Sequence, residues 1–329
     1  MNEHVEDGSR FSRRAFISAL AVGGVGMTAF GADPASTDEA LRDVLLRAAI
    51  GPLQTTATSH YLVGSDESEE VRLRVARQFE TLSADAWKSL RILRPALKPP
   101  ARKLRVLFLG DPKKYERLAR VRDFNPTIKG YYAYDLATIF LSNNDRTGDA
   151  EMDRTNAAWG HRHEGVHQIT YECGMLNPRG NRPSCIVEGL ALLGEPESPA
   201  EAVPFLRRHP RYIEWLIQFP VKDRPSLADL FRDDGWPHRF DDLHGRDAGY
   251  ALSWLLAHLL MSDAKLRPRL DTYLVAIFPR TDGSHRLADA EVHFGELSDL
   301  EVKMDRHLDD LASRPTGGFG PSRRRLARP

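Results

Sequence analysis

Cysteine is nearly missing from this chain, with two residues in 329, Cys173 and Cys185, and they form no CxxC pair. A disulfide-rich scaffold is therefore excluded. Net charge is missing too. Lys plus Arg and Asp plus Glu both number 46, so no net field favours nucleic acid or an acidic membrane surface. There is no GxGxxG, no phosphate-binding loop and no internal repeat at periods of about 20 to 50 residues. Global disorder is excluded, because 41% hydrophobic residues can bury a sizeable core as one large domain or two subdomains.

Against these absences stands one copy of HExxH, in Trp159-Gly160-His161-Arg162-His163-Glu164-Gly165-Val166-His167-Gln168. With 12 histidines in the chain, a random match is expected only about 0.025 times. On an α-helix His163 and His167 lie roughly 40° apart on one face, and Glu164 lies within about 60° of His167. Two neutral imidazoles one turn apart can bind zinc, while the carboxylate beside them faces the metal's water instead. This is a pattern for metal-assisted hydrolysis. The competing reading is an amphipathic helix whose histidines are satisfied by hydrogen bonds.

Ser12-Arg13-Arg14-Ala15-Phe16-Ile17 is followed by a short apolar, glycine-containing run from Ala19 to Phe30. The arrangement resembles a twin-arginine signal peptide over 1–31, implying export to the periplasm or the extracellular space and membrane contact only through that segment. Glycines 23, 24 and 26 make it a poor spanning helix. Residues 1–31 carry three acids and three arginines, so their removal leaves the charge balanced.

A lead-in over 32–66 is expected to give way to an α/β subdomain over 67–172. Val71, Val75, Phe79, Leu82, Trp87 and Leu90 mark a long amphipathic helix, and residues 104–110 suit a strand. Asp111-Pro112 opens another helix. Residues 130–134 and 138–142 look like a hairpin or two short strands, and the HExxH helix runs from about Asp153 to Tyr171. A helical subdomain is expected over 173–313, with helices near 183–193, 203–217, 226–231, 247–261, 266–278 and 299–312. Residues 314–329 read as a basic, frayed tail. The fold class is α+β, a small mixed sheet with helices followed by a mainly helical half, the HExxH helix between them.

A catalytic zinc needs a third protein ligand and an open position. Glu188 is the only charge in Cys185-Ile186-Val187-Glu188-Gly189-Leu190-Ala191-Leu192-Leu193, and a lone buried carboxylate is costly without a compensating cation. Pairing with an arginine such as Arg162 or Arg182 is the competing role. Arg162 needs some partner, since it shares a helical arc with Val166 and Ile169. Glu172 lies about 140° around the helix from His167 and points away. Glu195 and Glu197 fall at and after a helix end, where solvent is expected to satisfy them.

HEGVHQ followed by an EGLA helix resembles the gluzincin branch of zinc metallopeptidases, thermolysin-like in architecture. More narrowly it resembles an exported bacterial group, domain-of-unknown-function family 1570, over about residues 105–311. The resemblance implies a zincin-like fold in which His163, His167 and Glu188 bind zinc and Glu164 is the general base. Leu192 stands where thermolysin-like enzymes carry an Asp that orients a histidine, so the residues behind the ligands are unassigned. Cys185 stands where the narrower group often carries an aromatic residue. Cys173 and Cys185 flank the loop joining the two metal-binding helices, and export would place them in an oxidising compartment, so a disulfide is expected, with buried free thiols as the alternative.

Tyr250, on an otherwise apolar helix, is a candidate donor to the developing oxyanion, with core packing as the other reading. His258 on the same helix reads as a satisfied core histidine. Residues 131–142 offer an edge strand to which an extended peptide could add. The expected function is an exported zinc metallopeptidase with a peptide or protein substrate and no nucleic acid. The alternatives are a catalytically silent zincin-like binding protein and a zinc hydrolase of a non-peptide amide.

Overall fold

A computed structural model of the chain describes residues 34–314 apart from 127, 129, 143–149, 197–201 and 239–241. The twin-arginine segment over 1–31 and the basic tail beyond 314 lie outside the described residues. The fold is α+β. Helix α1 (Pro34–Arg47) leads into strands β1 (Gln54–Ala57) and β2 (Tyr61–Ser65). The long α2 (Glu69–Leu93) crosses to β3 (Leu104–Leu109), and α3 (Pro112–Arg122) precedes β4 (Gly130–Ala133) and β5 (Thr138–Ser142). Then come α4 (Ala150–Glu172), α5 (Ser184–Leu192), α6 (Pro210–Gln218), α7 (Leu227–Arg232), α8 (Leu243–Ser262), α9 (Leu266–Ile277), α10 (Arg286–Phe294) and α11 (Leu297–Ser313). Among the described residues no helix is long and apolar enough to cross a membrane.

The strands form one sheet in the order β1-β2-β3-β5-β4, parallel in its centre (β2, β3, β5) with an antiparallel strand at each edge. Period-two alternation divides the core. Leu104, Val106 and Phe108 of β3, with Ile139 and Leu141 of β5, face the α2/α4 side and join the core that continues to Leu311. Leu107, Leu109 and Phe140 face the other side and pack with Val44, Tyr115 and Leu118 from α1 and α3. Side-chain caps set two of the helix starts: Ser68 accepts from Val71 N, and Asp111 from Lys113 N ahead of Pro112.

The stretch 32–66, expected as a lead-in, carries a helix and two strands. The residues of β1, Gln-Thr-Thr-Ala, show little apolar alternation because the strand lies at the sheet edge and is largely exposed. In β2, Gly64 interrupts the pattern, and a Cβ there would lie 2.6 Å from Leu107 Cδ2 of the neighbouring strand. The helix expected over 203–217 is a 3-10 turn at Pro204–Leu206 followed by α6, because Pro210 opens a new helix. Helix α10 was not expected at all.

Helix α5 lies unusually close to α8: a Cβ on Gly189 would approach Ser253 O to 2.5 Å and Ala257 Cβ to 3.0 Å. Only glycine permits that approach, which brings the residue before it, Glu188, to the cavity described below.

His258 is the satisfied core histidine expected of it. A carbonyl can only accept, so its Nε2 donates to Leu206 O (3.1 Å), leaving Nδ1 to accept from His307 Nε2 (2.8 Å). Burial, reinforced by His307, pushes its pKa down to about 3. A depressed folded value gives stability that is present above the ordinary pKa of 6.5 and is lost as pH falls from there toward 3. By pH 5 the loss from this residue should be about 2 kcal/mol. Urea unfolding across pH 7 to 5 should show a flatter stability profile for His258→Gln than for the native chain; parallel profiles would contradict the assignment.

Candidate metal centre

Helix α4 is pressed between the sheet and the helical half, and its HExxH turn faces a cavity of about 870 Å³. His163, Glu164 and His167 line one wall, Glu188 of α5 and Tyr250 of α8 another, and Gly130 to Tyr132 of the edge strand β4 a third. The structure brings the expected ligands together. His163 Nε2 lies 3.1 Å from His167 Nε2 and 3.1 Å from Glu188 Oε2, and His167 Nε2 lies 3.7 Å from the same oxygen. Ligand bonds of about 2.0–2.2 Å at tetrahedral angles separate donor atoms by about 3.3–3.5 Å. The three atoms are thus spaced to hold one small ion, and the group has the composition of a metal site.

The arginine alternative for Glu188 does not hold. Arg162 donates to Asp85 Oδ2 (2.9 Å) and to Gly194 O, while Arg182 donates to Tyr171 Oη (3.2 Å). Glu172 points away as expected, taking Arg102 (2.9 Å) and the Tyr132 hydroxyl (2.8 Å).

Glu195 is a correction. It was expected in solvent, yet it is buried, accepting from His163 Nδ1 (2.9 Å) on one oxygen and from His209 Nε2 (3.0 Å) on the other. After α5 ends, Gly194 N bonds Ala191 O (3.0 Å) and Glu195 N bonds Leu192 O (3.2 Å), a tight turn that carries Glu195 back under the HExxH helix. A Cβ on Gly194 would meet Val166 Cγ2 at 2.4 Å, so the turn sits directly on α4. With Nδ1 donating to Glu195, the lone pair of His163 is left on Nε2, toward the cavity. Glu195 thus fills the orienting role that Leu192 cannot. Seven residues beyond Glu188, nearly two helical turns, is the one sequence signal that could have found it. His209 carried no such signal.

The site gathers several carboxylates. Glu164, Glu188 and Glu195 are all enclosed, and among the described residues no lysine or arginine pairs with any of them. Burial raises the Glu164 pKa, with His167 and His163 only moderating the effect. Burial also disfavours ionised Glu188 and Glu195, but contacts with His167 and His163 hold Glu188 far below the usual carboxylate range, and hydrogen bonds from His163 and His209 bring Glu195 to about 2. Burial opposes charge on His163, yet Glu188 and Glu195 hold its pKa well above the ordinary value. A divalent cation among these groups would balance three enclosed acids.

Glu164 does not join the ligand cluster. Its Oε2 accepts from the backbone N–H of Tyr132 on β4 (2.7 Å), which holds the carboxylate against the edge strand. Tyr250 packs its ring edge-on to Trp236 (4.9 Å) and lines the same cavity. Burial first, then the Glu188 and Glu164 charges, raise its pKa, so its hydroxyl stays a donor.

The expected Cys173–Cys185 bridge is absent, and both residues are free thiols. Cys173 Sγ turns back to the Thr170 carbonyl (3.6 Å), whereas Cys185 is fully buried in the first turns of α5. Burial pushes Cys173 up to about 11 and Cys185 higher still. Noncovalent contacts fix the intervening loop: Asn177 Nδ2 donates to Phe278 O (2.8 Å), and Arg286 donates to Asn181.

Residues 158–267 match the model of a family described as a protein of unknown function, DUF1570. The match covers about a third of the chain, less than the 105–311 stretch of the expected resemblance, and contains both histidines, Glu164, Glu188, Glu195 and Tyr250. No curated protein matches the chain.

Loss of the carboxylate behind a ligating histidine typically lowers metal affinity about 10–100-fold. Glu195→Ala should show that loss in chelator-competition titrations, and Glu195→Gln, whose amide oxygen still accepts from Nδ1, a smaller one. Glu172→Ala should match the native chain. Native affinity in Glu195→Ala would contradict the orienting role.

Proposed function

We propose that the chain is an exported, zinc-dependent hydrolase of peptide bonds, of the gluzincin type. The observation that carries this reading is the convergence of His163 Nε2, His167 Nε2 and Glu188 Oε2 on one point of a cavity wall, with Glu164 held beside them by a strand amide. Two imidazoles and one carboxylate are a donor set that zinc takes in catalytic sites with an open position. The twin-arginine pattern at Arg13-Arg14 supports export.

Held by His163, His167 and Glu188, a zinc ion would supply Lewis acidity toward a carbonyl and would bring the pKa of water to about 7. The protein's own groups do the rest. Glu195 keeps the His163 lone pair on Nε2. One oxygen of Glu164 is occupied by Tyr132 N–H, which leaves the other to take the proton from the attacking water. The same carboxyl can later return that proton to the leaving amine. The Tyr250 hydroxyl is the donor available to the oxyanion. Among the described residues strand β4 pairs with β5 alone, so its other edge, apart from the Tyr132 N–H held by Glu164, can receive a substrate strand along the cavity.

Glu164→Gln should retain zinc and lose cleavage of a mixed peptide library by about 10²–10⁴-fold, since an amide keeps the size but takes no proton. Mass spectrometry of the digests decides. Near-native turnover would remove Glu164 as the base, and equal inactivity of both proteins would favour a binding protein that keeps the site.

A further inference from the structure

Arg182 projects into the same cavity from the loop that precedes α5. Its guanidinium carbon lies 5.0 Å from the ring centre of Tyr134 and 5.5 Å from that of Tyr171, and one nitrogen donates to Tyr171 Oη at 3.2 Å. Two aromatic faces therefore hold a planar cation in place without neutralising it. Burial raises the Tyr171 pKa, so that hydroxyl brings no negative charge. Among the described residues no carboxylate pairs with Arg182. Asp234, which also lines the cavity, is taken by Arg286 and by Ser184 N (3.0 Å), and Glu188 by the imidazoles. The other cavity cations differ: Arg246 is within 3.5 Å of Asp247, and Arg211 is exposed in the first turn of α6.

The position of Arg182 along the cavity sets a distance. Tyr132 donates its N–H to Glu164, and Tyr134, under the guanidinium, opens the turn that follows β4. Two residues span at most about 7 Å, so a substrate strand lying along β4 reaches Arg182 within two residues of the bond opposite Glu164. A guanidinium on a rigid mount presents paired N–H donors that match a carboxylate. Pro183 restricts the backbone of Arg182 and adds to that rigidity.

We infer that Arg182 forms a carboxylate subsite that selects peptides bearing a negative charge within two residues of the cleaved bond. The charge is either an acidic side chain or a free C-terminus. This assignment rests on the hydrolase reading for its register, while the binding it asserts can be read without any turnover.

The test uses the zinc-loaded Glu164→Gln protein and a random octapeptide library in free-acid and C-terminally amidated forms, with retained peptides sequenced by mass spectrometry. Retained peptides should be enriched about tenfold or more in Asp or Glu, or in free acid over amide. Enrichment that survives amidation assigns the site to acidic side chains, and enrichment that amidation abolishes assigns it to the chain terminus. Adding Arg182→Gln should remove the preference without changing zinc content. Arg182→Glu should turn it toward Lys and Arg, and Arg182→Lys should keep part of it and serve as the folding control. No acidic preference, a preference indifferent to residue 182, or no retention of any peptide would overturn the subsite. Acidic retention by Glu164→Gln without cleavage of the same peptides by the native protein would leave the subsite standing and remove the hydrolase reading.

Discussion

Three carboxylates, Glu164, Glu188 and Glu195, gather about the imidazoles of His163, His167 and His209 with no lysine or arginine among the described residues to balance them. Bringing so much negative charge out of water is unfavourable by several kcal/mol per ion unless something compensates it. His163 offsets part of that cost, since Glu188 and Glu195 hold its pKa well above the ordinary value against the effect of burial. A chain that merely needed a stable core would fill this space with apolar side chains. Close packing keeps the acids there, and a divalent cation would balance them.

That arrangement depends on how closely three helices approach. Gly189 lets α5 rest on the backbone of α8, and Gly194 lets the turn after α5 rest on α4. Arg162 reaches from α4 to Asp85 of α2 and to the Gly194 carbonyl, so the residue beside His163 also fastens the turn that presents Glu195 to it. The sheet contributes from the other side, through one amide of its edge strand on Glu164. His163, Glu164 and His167 of α4, Glu188 of α5 and Glu195 of the following turn thus meet because close packing sets the positions of these elements.

The parts of the site legible from residues alone were those with a local physical signature. HExxH combines residue chemistry with helical spacing, and Glu188 is a lone charge in an apolar run. Glu195 carries no such signature, because Gly194-Glu195-Pro196 has the marks of a helix end, where acids usually meet water, and only the packing of that turn on α4 buries it. The cysteine pairing failed for a related reason. Closeness along the chain says nothing of the direction of the Cβ bonds, and Cys185 faces the core while Cys173 folds back on its own helix. In the fold, β3, β4, β5 and the long helices follow from periodicity. β1 and β2 did not, being short, partly polar and interrupted by Gly64.

The proposed function requires Glu188 to complete a metal site with His163 and His167. Metal analysis after dialysis of the native chain, His163→Ala and Glu188→Ala tests it most directly. About one zinc per native chain and a comparably severe loss in both variants are expected. Full zinc content in a folded Glu188→Ala protein would contradict it.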